Sequence, residues 1–320
     1  MKNISLFISA LLLCNVLWAQ QPQGRTAGTI VADVLIQMPA QNQTEFNKLF
    51  GALSSTGEEG VNMLVKKINE PGKGSNAQVD YALSGLSQYV IAPGRESVRL
   101  SIATAYCKAL ELVSDREAKA FIVRQLQLVG KDESVAALSA LLNQENLVDP
   151  AARALASIHT PKSFKALTDG LKNPNVRIQR DIILALTQVQ DAGVEETFLR
   201  LLNNKDENIQ KELLYVLSKT GSVKSLPVLA GLAEKAGFTL ERTGANEAYI
   251  ALIKRVLLQG NVKEAEVAAN DLLKKASDAG IVQTRNAAME ILLTIKKAVN
   301  LLFHKKIKLI HINGILSIIL

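Results

Sequence analysis

The chain has 320 residues, 48% of them hydrophobic and only 4% aromatic. That is enough apolar material for one large or two ordinary domains, and it excludes a disordered chain. The net charge is +7, but taking away Lys2 and the tail lysines Lys305, Lys306 and Lys308 leaves +3 on the body. A mildly basic body without a basic stripe or interleaved aromatics excludes an evident nucleic-acid reader.

The first residues, "MKNISLFISALLLCNVLWAQQPQ", place one lysine before an apolar run from Ile4 to Leu17 and a small residue, Ala19, before a polar stretch. This three-part pattern predicts a secretory signal over 1–19, cleaved near Ala19. Attachment of lipid at Cys14 would want a small residue before it, where Leu13 stands. Once the signal is removed Cys107 is the remaining cysteine, so no intramolecular disulfide is expected. Its setting, "SIATAYCKALELV", predicts a small buried side chain on the apolar side of a helix.

From there the pattern is helical. Helices are predicted at about 29–38, 44–55, 57–69, 76–91, 95–113 and 115–129, separated by "PGKGSN", "APG", "SD" and "GKDES". "PGKGSN" lacks the glycine spacing and the preceding strand of a phosphate loop and is read as a flexible turn. Glu58 and Glu59, like Glu195 and Glu196, are adjacent carboxylates at helix starts, read as surface charge favoured by the helix dipole.

An internal repeat then emerges. Residues 178–187, "IQRDIILALT", align with 209–218, "IQKELLYVLS", at a spacing of 31. Leu167 and Leu171 match Phe198 and Leu202 at the same spacing, so one unit is a helix, a short loop and a second helix. A third copy upstream shows Leu147, Ala151, Ala154, Leu155 and Ile158 in the second-helix positions. In the middle copy Ile178, Ile182, Ala185 and Val189 form one stripe, with Val176 and Ile183 widening it to a second side. Arg177, Asp181 and Gln188 cluster on the remaining side. Such a broad apolar arc calls for neighbours on both sides, which stacking supplies.

"LKNPNVRIQRDIILAL" (171–186) resembles the HEAT family in its first-helix leucine, its Asn/Pro loop, the Val-Arg that opens the second helix and the closing Ala-Leu. The copy at 202–217 departs from it, with Asn208-Ile209 in place of Val-Arg and Lys205 in place of Pro. The resemblance implies an all-α, right-handed α-α superhelix of stacked helix pairs over 20–297, clearest at 133–221, that works as an interaction module. The signal, the opening "TAGTIVADVLIQMPAQNQTEFNKL" (26–49) and this array together also resemble the N-terminal part of larger secreted bacterial proteins carrying a C-terminal 3-keto-disaccharide hydrolase type domain. That resemblance implies the alternative of a truncated, non-catalytic part of a carbohydrate-active protein, with a glycan-related partner.

Further helices are predicted at about 223–235, 244–259, 262–276 and 280–298. The segment "AGFTLERTGANE" (236–247) interrupts the period and is the candidate functional loop. The tail 298–320 changes composition, allows a hairpin about Asn313-Gly314 and is expected to be a truncated or out-of-frame end. Its histidines and lysines argue against a membrane span.

Chemistry is hardly visible. Three scattered histidines, no His-Glu-x-x-His and no Gly-x-Ser-x-Gly leave catalytic, cofactor-binding and metal residues at none, and no cofactor is expected. His159 reads as a helix C-terminal residue favoured by the dipole. The recurrent polar feature is basic: Arg153, Arg177, Arg180 and Lys211 on second helices form the candidate interaction surface, or else pair with Asp181, Glu212 and loop carboxylates. The expectation is an exported, non-enzymatic scaffold in the periplasm or cell envelope of a Gram-negative-type bacterium, with a protein partner, no nucleic acid and no membrane span after signal cleavage.

Overall fold

The computed structural model describes residues 25–189, 192–203 and 206–298. The expected signal and nearly all of the tail, with its hairpin at Asn313-Gly314, lie outside the described residues. Among those described, every regular element is helical and no strand occurs. The protein is an all-α solenoid of stacked helix pairs. Two compact units divide the chain, 1–166 and 167–320.

The first unit contains α1 (Ala27–Ile36), α2 (Gln43–Ser54), α3 (Gly57–Val65), α4 (Ala77–Val90), α5 (Glu96–Leu112), α6 (Arg116–Val129), α7 (Val135–Leu141) and α8 (Val148–Ile158). Odd-numbered helices pack on odd, α1 on α3 and α3 on α5, while α2, α4, α6 and α8 pack in succession. Two layers result, one of first helices and one of second helices. Side-chain oxygens start several of these helices: Thr26, Asn42 and Asp115 accept from the backbone N–H groups of Thr29, Glu45 and Ala118. Such a cap is worth about 1 kcal/mol.

The layers are held by aliphatic and small side chains. Leu83, Leu86, Ile102, Ile122, Leu126 and Leu155 are fully buried, each contributing roughly 1.5–3 kcal/mol. Alanine lets neighbouring helices approach closely in α8, where Ala151, Ala152 and Ala154 have no exposed surface. Tyr106 is enclosed completely. Its hydroxyl donates to the Leu83 carbonyl at 2.9 Å and lies 3.1 Å from Ser87 Oγ, and burial pushes its ionisation far up. Arg99 is the buried cation of this unit. Its guanidinium donates to the Val129 carbonyl, to Glu133 at 2.6 Å and to Glu96 at 3.0 Å, so the charge is not left uncompensated.

Helix α9 (Pro161–Gly170) runs across the division between the units. The second unit continues with α10 (Val176–Leu186), α11 (Ala192–Leu201), α12 (Glu207–Thr220), α13 (Leu226–Lys235), α14 (Ala245–Leu258), α15 (Val262–Asp278) and a last helix, α16, over 282–298. Second helices again pack in succession, α10 on α12 and α12 on α14.

The 31-residue repeat has a physical content here beyond its apolar stripe. Asn175 Oδ1 accepts from the N–H groups of Arg177 and Ile178, and Asp206 Oδ1 does the same for Asn208 and Ile209. Gln179 donates its side-chain amide to the Leu171 carbonyl at 3.0 Å, and Gln210 to the Leu202 carbonyl at 3.4 Å. Each pair therefore carries its own N-cap and its own tie from second helix to first.

Two smaller expectations are refined. The "PGKGSN" turn is not merely flexible. Asn76 accepts from Asn69 N at 2.7 Å and returns a bond to the Asn69 carbonyl at 3.0 Å, which closes the loop. Cys107 is half-buried; burial pushes its thiol up, opposed by the Ser134 hydroxyl.

Candidate interaction surface

In the second unit α10 and α12 are neighbours, and residues 31 apart occupy equivalent positions on them. Arg177 and Arg180 are exposed on α10, and Lys211 is exposed on α12. Arg180 Nε lies 3.3 Å from Glu212, whose side chain is only 17% exposed against 62% for the arginine. The alternative weighed for these cations, pairing with a neighbouring carboxylate, thus holds for Arg180. The structure brings Arg180 and Lys211 together on adjacent helices. Arg153 lies in the first unit, on α8, where its guanidinium is bound to Asp149 one turn earlier, at 2.9 Å through Nε.

Between these cations the structure adds two apolar residues. Leu184 is 41% exposed and Tyr215 60% exposed, and they too are 31 residues apart. Along each helix they follow the basic residue by four positions, so Arg180 and Leu184 share one face of α10, as Lys211 and Tyr215 share one face of α12. Lys219, a further turn on, sits 5.8 Å from the Tyr215 ring centroid. The result is a strip with an apolar centre, flanked by cations on both sides of Tyr215 on α12 and on the N-terminal side of Leu184 on α10. The alignment "IQRDIILALT" with "IQKELLYVLS" contains both residues, and at about 100° per residue Leu184 falls beside Arg177 and Gln188 on the polar side of its helix, with Tyr215 at the equivalent place on α12, so periodicity already sets both apart from the buried arc.

Glu195 is also more than surface charge. Although it stands in the first turn of α11, as expected, it accepts from Ser222 N at 2.7 Å and from the Ser222 and Ser225 hydroxyls. Burial opposes its ionisation, yet the hydroxyl and backbone donors hold its carboxyl below the usual range. It therefore clamps one helix pair to the start of the next. Glu196 fits the surface reading: it is exposed and lies 3.4 Å from Lys224.

His159 ends α8 in the left-handed conformation, φ 52°, its N–H directed to the Leu155 carbonyl. No group of three or more His, Cys, Asp or Glu suited to a metal occurs among the described residues. No helix among them is long and apolar enough to cross a membrane.

Of the interrupting segment 236–247, residues 236–244 form an irregular connection between α13 and α14, and 245–247 are the first turn of α14. Glu241 organises it by accepting from Thr243 N at 2.7 Å and Ala245 N at 2.9 Å. Those bonds hold the Glu241 carboxyl below its usual range against the opposing effect of burial.

A family model described as HEAT repeats matches residues 164–250, which take in α10 to α13 and the interrupting segment. No curated protein matches the chain. Among solved structures, one engineered protein is 20% identical, with a TM-score of 0.33 over 84% of this chain and 78% of that one. The complex of CpcE and CpcF of phycocyanin lyase from Nostoc is 13% identical, with a TM-score of 0.32 over 87% of this chain and 97% of that one.

Proposed function

We propose that the protein is a non-enzymatic scaffold that holds a partner protein on the stacked second helices of its second unit. The observation that carries this reading is the strip on α10 and α12. Leu184 and Tyr215 are exposed side by side on packed helices, with Arg177, Arg180, Lys211 and Lys219 around them. Exposed tyrosine ringed by cations is the composition of an interface centre, where an aromatic anchor supplies area and the charges supply orientation. The surface suits an acidic partner segment with an apolar residue to cover Leu184.

Export to the periplasm or cell envelope belongs to the same proposal and is motivated by the apolar run from Ile4 to Leu17 with Ala19 behind it. Its test is fractionation of cells expressing a C-terminally tagged chain, together with the N-terminal sequence of the recovered product. The discriminating experiment for the scaffold is affinity capture from envelope extract with the wild-type protein and with a Leu184→Ser/Tyr215→Ala variant. A partner captured by the first and lost by the second supports the reading; equal capture by both removes the strip from it.

A second reading, the helical module of a larger carbohydrate-active protein, rests on the opening 26–49 beside this solenoid. A β-rich continuation in the coding region after Leu320 supports it; a stop codon with no such frame beyond counts against it.

A further inference from the structure

The segment that breaks the 31-residue period builds one wall of a cleft. At the end of α13 the chain enters two successive left-handed residues, Gly237 at φ 63° and Phe238 at φ 57°. A non-glycine residue there is strained and persists only where surrounding contacts enforce it. Here they do: Phe238 N donates to the Ala233 carbonyl at 2.9 Å, and the residue is 6% exposed. Its carbonyl accepts from Thr284 Oγ1 at 2.7 Å, and Thr284 Oγ1 accepts from Asn246 Nδ2 at 2.8 Å.

That chain of bonds fixes the Asn246 amide. Thr284 has one hydroxyl proton and gives it to Phe238, so it needs a donor from Asn246 and the amide cannot be reversed. Asn246 Oδ1 is then an acceptor with no donor among the described residues, on a side chain that is only 4% exposed. A buried acceptor left unsatisfied is destabilising, because it has given up its water without gaining a donor. A donor lifts that cost, whether a water or a group of a bound partner.

The cleft beside it has a volume of about 350 Å³, at the lower end of ligand-sized sites. Leu240, 79% exposed, and Val282, 53% exposed, are part of its lining together with Ile250 and Ile281. Glu247 is the one charged residue among those that line it. The site thus offers apolar walls, an orphan acceptor and a carboxylate, and no cation.

We propose that this cleft docks an extended segment of a partner protein carrying an aliphatic side chain beside a lysine or arginine. A backbone N–H of the segment reaches Asn246 Oδ1, which is closed off in the free chain, through a local opening of the cleft wall, the aliphatic side chain lies against Leu240 and Val282, and the cation meets Glu247. The inference rests on the reading of the protein as an interaction module but uses a different surface and the opposite charge preference from the strip on α10 and α12.

The test is side-chain NMR of the full chain, with methyl groups and Asn amides labelled, titrated with two capped peptides, Gly-Gly-Leu-Lys-Gly-Gly and Gly-Gly-Leu-Glu-Gly-Gly. The expected result is a saturable shift of the Leu240 and Val282 methyls and of the Asn246 amide with the Leu-Lys peptide, at least tenfold weaker with the Leu-Glu peptide. Glu247→Lys should reverse that order, with at most a small downward shift of the thermal melt, because the residue stands in the first turn of α14, where a cation is disfavoured. No shift at these groups, or equal shifts from both peptides, overturns the proposal. Tyr215→Ala should leave the titration unchanged. Failure at the cleft with capture on α10 and α12 intact removes only this inference, and the converse removes only the strip.

Discussion

Arg180 of α10 reaches the carboxylate of Glu212 on α12 at 3.3 Å, so the basic residue of one repeat pairs with the acidic residue of the next. Because Arg180 is mostly exposed, the pair should be weak. A double-mutant cycle with Arg180→Ala and Glu212→Ala, read by urea unfolding, is expected to give a coupling of no more than about 1 kcal/mol. It should vanish in 1 M salt, where screening acts over about 3 Å. A larger, salt-resistant coupling would make Arg180 a structural tie and withdraw it from the binding strip.

The paired N-caps make a second, independent prediction. Asn175 and Asp206 each accept from two backbone N–H groups at the start of a second helix. Asn175→Ala and Asp206→Ala should each lower stability by about 1 kcal/mol, whereas Asn175→Asp should be close to neutral. Thermal unfolding monitored by circular dichroism checks the first point. Hydrogen exchange at Arg177, Ile178, Asn208 and Ile209 checks that the loss is local to the helix starts.

These caps show how far the sequence can be read without a structure. The helix pairs were legible because the apolar stripe, the loop and the 31-residue spacing all repeat, and the helices predicted at about 244–259 and 280–298 lie at 245–258 and 282–298. What was not legible depends on which side of a helix its neighbours cover. Leu184 and Tyr215 fall by periodicity on the polar side of their helices, and whether an apolar residue there is covered or left open is settled by the stacking and not by the spacing. Glu195 looked like half of a surface pair because its partners, Ser222 and Ser225, are 27 and 30 residues away. The break at 236–247 could be seen, but the bond from Asn246 to Thr284 across 38 residues could not.

Gly85, in the middle of α4, tests the tightness of the first unit. Helix propensity alone would favour alanine there by about 1 kcal/mol. A Cβ at Gly85, however, would stand 2.0 Å from Phe50 Cζ and 2.5 Å from a second ring carbon, and Phe50 has no exposed surface. The ring also packs against Phe46 at 4.4 Å and Tyr81 at 6.1 Å between centroids, so it has little room to retreat. Overpacking should win, and Gly85→Ala should destabilise the protein by a net 1–2 kcal/mol or so. A raised unfolding midpoint in urea would show that Phe50 repacks freely.

The Glu195 clamp predicts a specific acid dependence. Burial pushes its carboxyl up, but donors from Ser222 and Ser225 outweigh that and hold it below the usual glutamate range. For a carboxylate depressed in the folded state, the unfolded chain takes up the proton first as pH falls. The stabilisation is therefore fully present above the unfolded pKa and is lost as pH drops through the folded one. Glu195→Gln should cost about 1–2 kcal/mol at pH 7, the low side for charged hydrogen bonds because the side chain is only partly buried. That gap should narrow between pH 5 and about 3, since the wild-type residue becomes a neutral acid resembling the glutamine. Glu133 and Glu241 are depressed as well, so the wild type should lose absolute stability over the same range through all three groups. Urea midpoints of both proteins at pH 7, 5 and 3 separate the contributions. A gap that stays constant across that range would mean that the charge on Glu195 adds nothing to the joint between its helix pair and the next.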